Sequence, residues 1–512
     1  MRRTVVVLTA VVLMTVSACT SGTEPDPVPA ASRSVVGTPS ASASASVDDG
    51  SVTVETAYLT VPLEITVAPV QVKDDVALLT VEYRLGEGAV AGASFAAGQA
   101  LKTATGAMGP TAVRLVDLER ATVFVPGLDE KEQPAVTRDG LLVSAGKPAT
   151  SESFFAAPAG DTVSVLFPYV GLVRDVPVVR LGAAEQLPTS PQEQGREGVI
   201  TYGSAPIDAF TVGFDDSTST RVTADEVTVS LASDVLFGVD ESALTPEAQA
   251  VIDAAGAEIK AQGAEGEVLV IGHTDDVASD EYNQTLSVAR AQAVVDRLAP
   301  TLGSGFAVTA EGRGESEPTV PGTSDDARAA NRRVEIQFTT RTVGASVEVG
   351  TGATVPEATG PVASGSASVV PTGIDGFSVR ATSVVRVGAY LVGSLEVTRE
   401  GSGPDYAAGL FGDITQGRAA SRGLTAFTMT AGVHNATLLG TSSRYYPADY
   451  LRTDSDGGTD LRSVVADQWI GAQFMSGDSV TVTVLWPDPG GDTVTIDVPA
   501  RFRLTDVPVQ TP

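Results

Sequence analysis

Between about residues 226 and 341 the spacing of apolar positions switches repeatedly between two periods, and elsewhere in the chain it does not. Val227, Val229 and Leu231 alternate with polar residues, the period of a strand with one buried face. Ala248, Val251, Ile252, Ala255 and Ile259 then fall at helical spacing behind Thr245-Pro246, a favourable cap and first-turn pair, and this helix stops at Gly263. The run Glu267 to Ile271 is apolar on both faces, a helix follows over 283–299 and ends at Pro300, and 306–310 (FAVTA) is a strand. After a short helical turn, DDARAAN, the residues Val334, Ile336 and Phe338 alternate again. This βαβαβ order with a final strand predicts a two-layer α/β domain, helices against one sheet.

The flanks read differently. Over 52–185 and again over 374–510, short runs rich in Val, Thr and Leu are broken by Gly, Pro and Asp at intervals of roughly ten residues, which predicts two β-sandwich-like domains. The overall class expected is α+β, a central α/β domain between two β domains. Both flanks share a late feature, Gly160-Asp161-Thr162-Val163 and Gly477-Asp478-Ser479-Val480, which fits a diverged duplication and equally a reused Gly-Asp turn. Residues 20–51 and 342–373 are rich in Pro, Ala, Ser and Gly with few large apolar groups, and are expected to be linkers.

The N-terminus changes the picture of where such a chain sits. Arg2 and Arg3 precede an apolar run over 4–14, and small residues lead to Val16-Ser17-Ala18-Cys19. This is the order of a secretory signal, and the tetrapeptide resembles a lipobox. The resemblance implies cleavage before Cys19 and acylation of its sulfur, so that residues 1–19 are a lipoprotein signal and Cys19 is a membrane anchor. It is the only cysteine, so no intramolecular disulfide and no cysteine metal site can form.

Charge and motif content remove several classes of function. With 33 Lys plus Arg against 63 Asp plus Glu, a formal charge of -30 repels nucleic acid. Only two histidines are present, His273 and His434, and no G-x-S-x-G elbow accompanies them, so no nucleophilic constellation and no catalytic residue is expected. Asp454 to Asp460 clusters Asp and Gly but lacks the closing Glu of a calcium loop, and reads as a solvated turn. Trp469 and Trp486 read as core of the C-terminal region. No cofactor and no metal are expected.

One residue resists the helical pattern. Successive helix positions turn by about 100°, so Leu286, position 290, Val294 and Leu298 form one buried row, and position 290 is Arg. A guanidinium keeps its charge and needs an anion wherever it is buried. Asp275 follows the 267–271 strand directly and faces the start of this helix. Two readings are open: an Asp275–Arg290 salt bridge, or a pair that stands side by side and shares a zwitterionic ligand, carboxylate on Arg and ammonium on Asp.

The blocks FGVDESALTPEAQ, TDDVASDEYNQTLSVARAQAVVDRL, GRGESEP and ANRRVEIQF, in that order, resemble the peptidoglycan-binding family of the OmpA C-terminal domain, Pal and MotB. The resemblance spans roughly 226–341. It implies that Asp275 and Arg290 hold the two ends of the diaminopimelate side chain of the peptidoglycan stem peptide. It also implies ligand contacts for Asn283 and for Phe237 and Asp240 on the opposite wall, with Thr274, Leu286 and Arg333 nearby. Leu286 fits core equally well, and Arg333 fits a solvated strand edge. Ala278 stands where the family often has Gly, which would resist a positive φ. The function expected is a non-catalytic lipoprotein of the cell envelope, membrane-anchored and facing wall or periplasm as in the outer membrane, that tethers membrane to peptidoglycan. The alternative is a receptor, adhesin or scaffold whose β domains bind another envelope protein.

Overall fold

The structure, a computed structural model, describes residues 43–45, 50–103, 109–224, 226–262, 266–340, 348–349, 353–412, 432–452, 461–468 and 470–511. Cys19 and its leader, the Asp454–Asp460 turn and Trp469 lie outside the described residues. No helix among the described residues is long and apolar enough to cross a membrane. The class is mixed α/β, with many strands and few helices.

Among the described residues, the N-terminal region is strand, turn and loop apart from one helical turn, Ala97–Ala100. Most of its strands join one sheet in which Val61–Val67, Val76–Leu85, Val70–Lys73 and Gly171–Arg180 are successive neighbours, and Ser94–Ala96 pairs with Leu142–Ser144 in a separate two-stranded sheet. Ile65, Val67, Val81, Tyr83, Val165 and Phe167 point to one core, as the alternation predicts.

The central region is built from β1 (Asp208–Gly213), β2 (Thr218–Thr223), β3 (Glu226–Ala232), α1 (Pro246–Ala261), β4 (Gly266–Gly272), α2 (Asp280–Leu302), β5 (Phe306–Gly312), α3 (Asp325–Asn331) and β6 (Arg333–Thr339). The sheet order is β5-β4-β6-β3-β2-β1. β4 and β5 are parallel neighbours and are linked by the crossover helix that such a pair requires, while β6 is antiparallel to both β4 and β3. Val227, Val229, Leu231, Val268, Val270, Val334, Ile336 and Phe338 form the inner face under Ile252, Ala255, Ile259, Val294 and Leu298 of the two long helices. α1 begins at Thr245, whose side chain accepts from the Ala248 amide at 3.0 Å. α2 passes the expected stop at Pro300 by two residues and ends at Gly303, φ 83°. In the last turn a proline forfeits one amide bond only, so the helix survives it.

The expected linker over 342–373 is corrected by its contacts. Val349 is buried in the α/β core, Glu348 accepts from the Tyr445 hydroxyl at 3.0 Å, and Val362–Ser364 pairs in parallel with Phe502–Pro508. Polar composition hides this because the segment docks through backbone and charge. Inside the expected 20–51 linker, Ala43–Ala45 pairs with Val52–Tyr58.

A second departure concerns how the regions join. β1 pairs with Ser443–Tyr445, and through Thr437–Leu439, Thr493–Val498 and Phe502–Pro508 the α/β sheet runs on into the C-terminal region. The remaining long C-terminal strands, Phe377–Val387, Tyr390–Arg399 and Ser479–Pro487, form a separate three-stranded sheet. Both sheets bury side chains in one core, Trp486 and Leu395 from one and Ile496 and Phe502 from the other. A shared apolar cluster also ties Val116, Val123 and Leu166 of the N-terminal region to Tyr390, Tyr450 and Leu485.

Candidate ligand site at the strand ends of the α/β region

The site is set by how closely α2 can approach the sheet. Gly272 ends β4 and Gly312 ends β5; a Cβ at Gly272 would lie 2.1 Å from the Ser287 carbonyl oxygen, and one at Gly312 would lie 2.5 Å from the Val288 amide nitrogen. Lacking side chains, the two glycines let the first half of α2 rest on the strand ends. The buried Ser287 hydroxyl then receives the Gly314 amide at 3.0 Å. The predicted row on α2 is buried around its charged member: Val294 and Leu298 are inaccessible and Arg290 is 5 % exposed. Leu286, one turn earlier, is half-buried and does not join the α/β core cluster.

Arg290 has an unusual set of partners. Its Nε donates to the Glu241 carbonyl at 3.0 Å, and its guanidinium lies over the Phe237 ring, 5.2 Å from the centroid. Among the described residues no carboxylate comes within 4.0 Å of it. Burial therefore pulls its pKa below the ordinary arginine value, against the opposing pull of Asp234 and Asp240. Phe237 is buried, bridges to Leu244 and ends the helical turn Ser233–Leu236, while Asp240 is exposed at φ 57° on the loop between.

Asp275 is not paired with Arg290. Its Oδ2 accepts from Arg332 at 2.9 Å, and Arg332 also grips Asp234 through two nitrogens, at 2.8 and 2.6 Å. The bond to Arg332 holds the Asp234 pKa below the usual carboxylate range, and the same bond raises Arg332. Arg332 is near enough to Arg290 to lower it further. The two sequence-predicted charges thus belong to one cluster with Arg332 between them. Asn283 is buried beside Asp275, its amide donating to the Asp275 carbonyl at 3.1 Å and to Glu315 at 2.5 Å. Thr274 is buried, its amide bonded to the Gly314 carbonyl. Ala278 does not take positive φ, so the loop forms without the glycine.

Arg333 is elsewhere. Its guanidinium is buried with Glu335 at 2.7 Å, the Glu317 carbonyl and His273. Neighbouring residues entering a strand project to opposite sides, so the Arg332-Arg333 pair places one arginine in the site and the other behind it. Sequence reading chose the wrong member. The acidic Asp234, three residues before Phe237, was the signal it also missed.

A six-stranded face carrying two long helices, with ionic groups gathered where β4 and β6 meet α2, defines a two-layer α/β domain whose ionic cluster lies at the strand ends. Residues 236–332 match the OmpA family, and this segment of the chain is an OmpA family domain. Outer membrane protein A of Shimwellia blattae is 41 % identical over 118 residues, covering 21 % of this chain and 49 % of that protein. Outer membrane protein A of Escherichia coli O157:H7 is 40 % identical over 118 residues, covering 21 % of this chain and 34 % of its own. The chain therefore spans half or less of the length of these curated relatives. Among solved structures, the cell wall anchor of the T6SS from Pseudomonas aeruginosa is 34 % identical over 25 % of this chain and 90 % of that chain, with a TM-score of 0.23.

Proposed function

We propose that this chain is a non-catalytic cell-envelope lipoprotein that binds peptidoglycan non-covalently through the diaminopimelate of the stem peptide, and so ties a membrane to the wall. The observation that carries the reading is Arg290, a guanidinium only 5 % exposed with a carbonyl and a ring as partners and, among the described residues, no carboxylate within 4.0 Å. A carboxylate arriving there gains a charge-assisted, bidentate partner in a partly dry setting. The ammonium of the same ligand takes Asp275, displacing Arg332 onto Asp234, which already holds it with both oxygens. Phe237 and Asp240 line the wall opposite, and Asn283 fixes the backbone carbonyl of Asp275. The OmpA family match over 236–332 supports the assignment. Acylated Cys19 supplies the membrane end, and no step of chemistry is required of the chain. One site of this kind binds modestly; many copies meeting a repeating polymer hold firmly.

Retention on purified sacculi tests the reading. Asp275→Ala and Arg290→Ala should each lose most of it, free diaminopimelate should compete with the unaltered chain, and circular dichroism should not change. Full retention by both variants would remove the proposal. Point substitutions are needed because excising 226–341 would strip β3 from β2 and bare a new sheet edge.

A further inference from the structure

Far from the α/β domain in sequence, two more arginines share the condition of Arg290. Arg196, on the loop between Gly171–Arg180 and Thr201–Pro206, is 8 % exposed, and Arg138 is half-buried. Among the described residues neither has a carboxylate within 4.0 Å, and the Nε of each is buried without a hydrogen bond. Each guanidinium is held by a neutral oxygen instead. Arg138 Nη2 donates to Gln133 Oε1 at 2.6 Å, and Arg196 Nη2 donates to the Gln194 carbonyl at 3.1 Å.

Two chains of hydrogen bonds bring the pair to one place. Gln194 Nε2 reaches Thr137 Oγ1, the neighbour of Arg138, at 3.5 Å. Gln133, which holds Arg138, gives its amide to Asp129 Oδ1 at 2.8 Å, and the amide of Glu197, next to Arg196, reaches Asp129 Oδ2 at 3.4 Å. The two cations also feel each other: burial first, and then repulsion from Arg196, pull Arg138 below the ordinary arginine value, against Asp129 and Asp139. Asp129 attracts both arginines but touches neither, because backbone amides of Lys131, Gln133 and Glu197 occupy its oxygens. Two like charges held this way out of water are costly unless an anion joins them. We propose that Arg138 and Arg196 together form a second ligand site, which takes a singly charged carboxylate. Guanidinium matches a carboxylate edge to edge, and the exposed Glu130, Glu132 and Asp139 on the same segments repel a doubly charged phosphate more strongly. The site does not depend on the wall-binding reading above.

Saturation-transfer NMR tests it on the full chain carrying Arg290→Met, so that the α/β site contributes no cation. The probes are N-acetylglycine, its neutral amide N-acetylglycinamide, and inorganic phosphate as a competitor. The acid should bind about tenfold more tightly than the amide, the size of one charge-assisted hydrogen bond. Adding Arg138→Gln or Arg196→Gln should bring the acid down to the level of the amide with circular dichroism unchanged. Phosphate should displace the acid no better than sodium chloride of equal ionic strength. No excess of acid over amide, a comparison that needs neither arginine altered, would overturn the site, as would an excess that survives both substitutions. Displacement by phosphate well beyond that by chloride would overturn the preference for a carboxylate.

Discussion

Among the buried clusters of arginine and aspartate in the described residues, two are completed differently. Where β1 meets the C-terminal region, Asp208 and Asp449 each take both Arg221 and Arg462, at 3.2 and 2.5 Å for Asp208 and 3.3 and 2.8 Å for Asp449. At the strand ends of the α/β domain, Arg290 is as deeply placed and has no carboxylate within 4.0 Å among the described residues. Burial works against both charges. At Arg462 the two aspartates overcome it and the pKa rises, while at Arg290 burial wins and the pKa falls. A cluster whose charges cancel internally is part of the fold, whereas a buried cation without a close carboxylate is what the proposed ligand would pair.

The contrast is open to attack from both sides. Asp449→Ala should cost the most stability, about 3–5 kcal/mol by urea unfolding, because it strands part of a buried cationic pair. A loss below about 1 kcal/mol would mean the cluster is not what fuses the sheet. Gly272→Ala comes next: with its Cβ driven onto Ser287, α2 must lift, and about 1–3 kcal/mol should go together with sacculus retention. Arg290→Met should leave stability unchanged or raised, since a thioether chain fills the space without an unpaired charge. A marked loss of stability there would show that Arg290 belongs to the fold after all.

A separate effect concerns pH. Burial, with Arg333 alongside, pushes the buried His273 down to about 4 from an ordinary 6.5, against the pull of Glu335 and Glu317. Between those values the unfolded chain takes up a proton that the folded chain refuses, so this contribution is complete above about 6.5 and is lost as pH falls toward about 4. His273→Gln should flatten the pH dependence of unfolding within that window, by up to about one proton in the slope. An unchanged slope would place the titration elsewhere.

Much of the α/β domain was legible because its two periods are strong: the alternation at 227–231 and 334–338, the helical row at 248–259 and the later part of the row on α2, Val294 and Leu298, turn inward, while Leu286 at its start is only half-buried. Arg290 was legible as an exception to such a row. What escaped depends on backbone pairing across long sequence distances. The hairpin β1–β2 has little apolar signal of its own, yet it carries the sheet into the C-terminal region through Thr211–Tyr445 pairing. Val362–Ser364 docks as a three-residue edge strand from a stretch whose composition reads as spacer. Nor can sequence decide which of two adjacent arginines faces a site, since a one-residue difference in where α3 ends reverses the answer. Arg332 is where sequence and structure differ most, because it pairs with Asp275 in place of Arg290.

Melting curves recorded with increasing diaminopimelate-containing muropeptide, for the unaltered chain and for Arg290→Met, test the proposed role of Arg290 most directly. The unaltered chain should gain several degrees as ligand fills the site, and Arg290→Met, starting no lower, should gain nothing. An equal rise in both proteins would contradict the account.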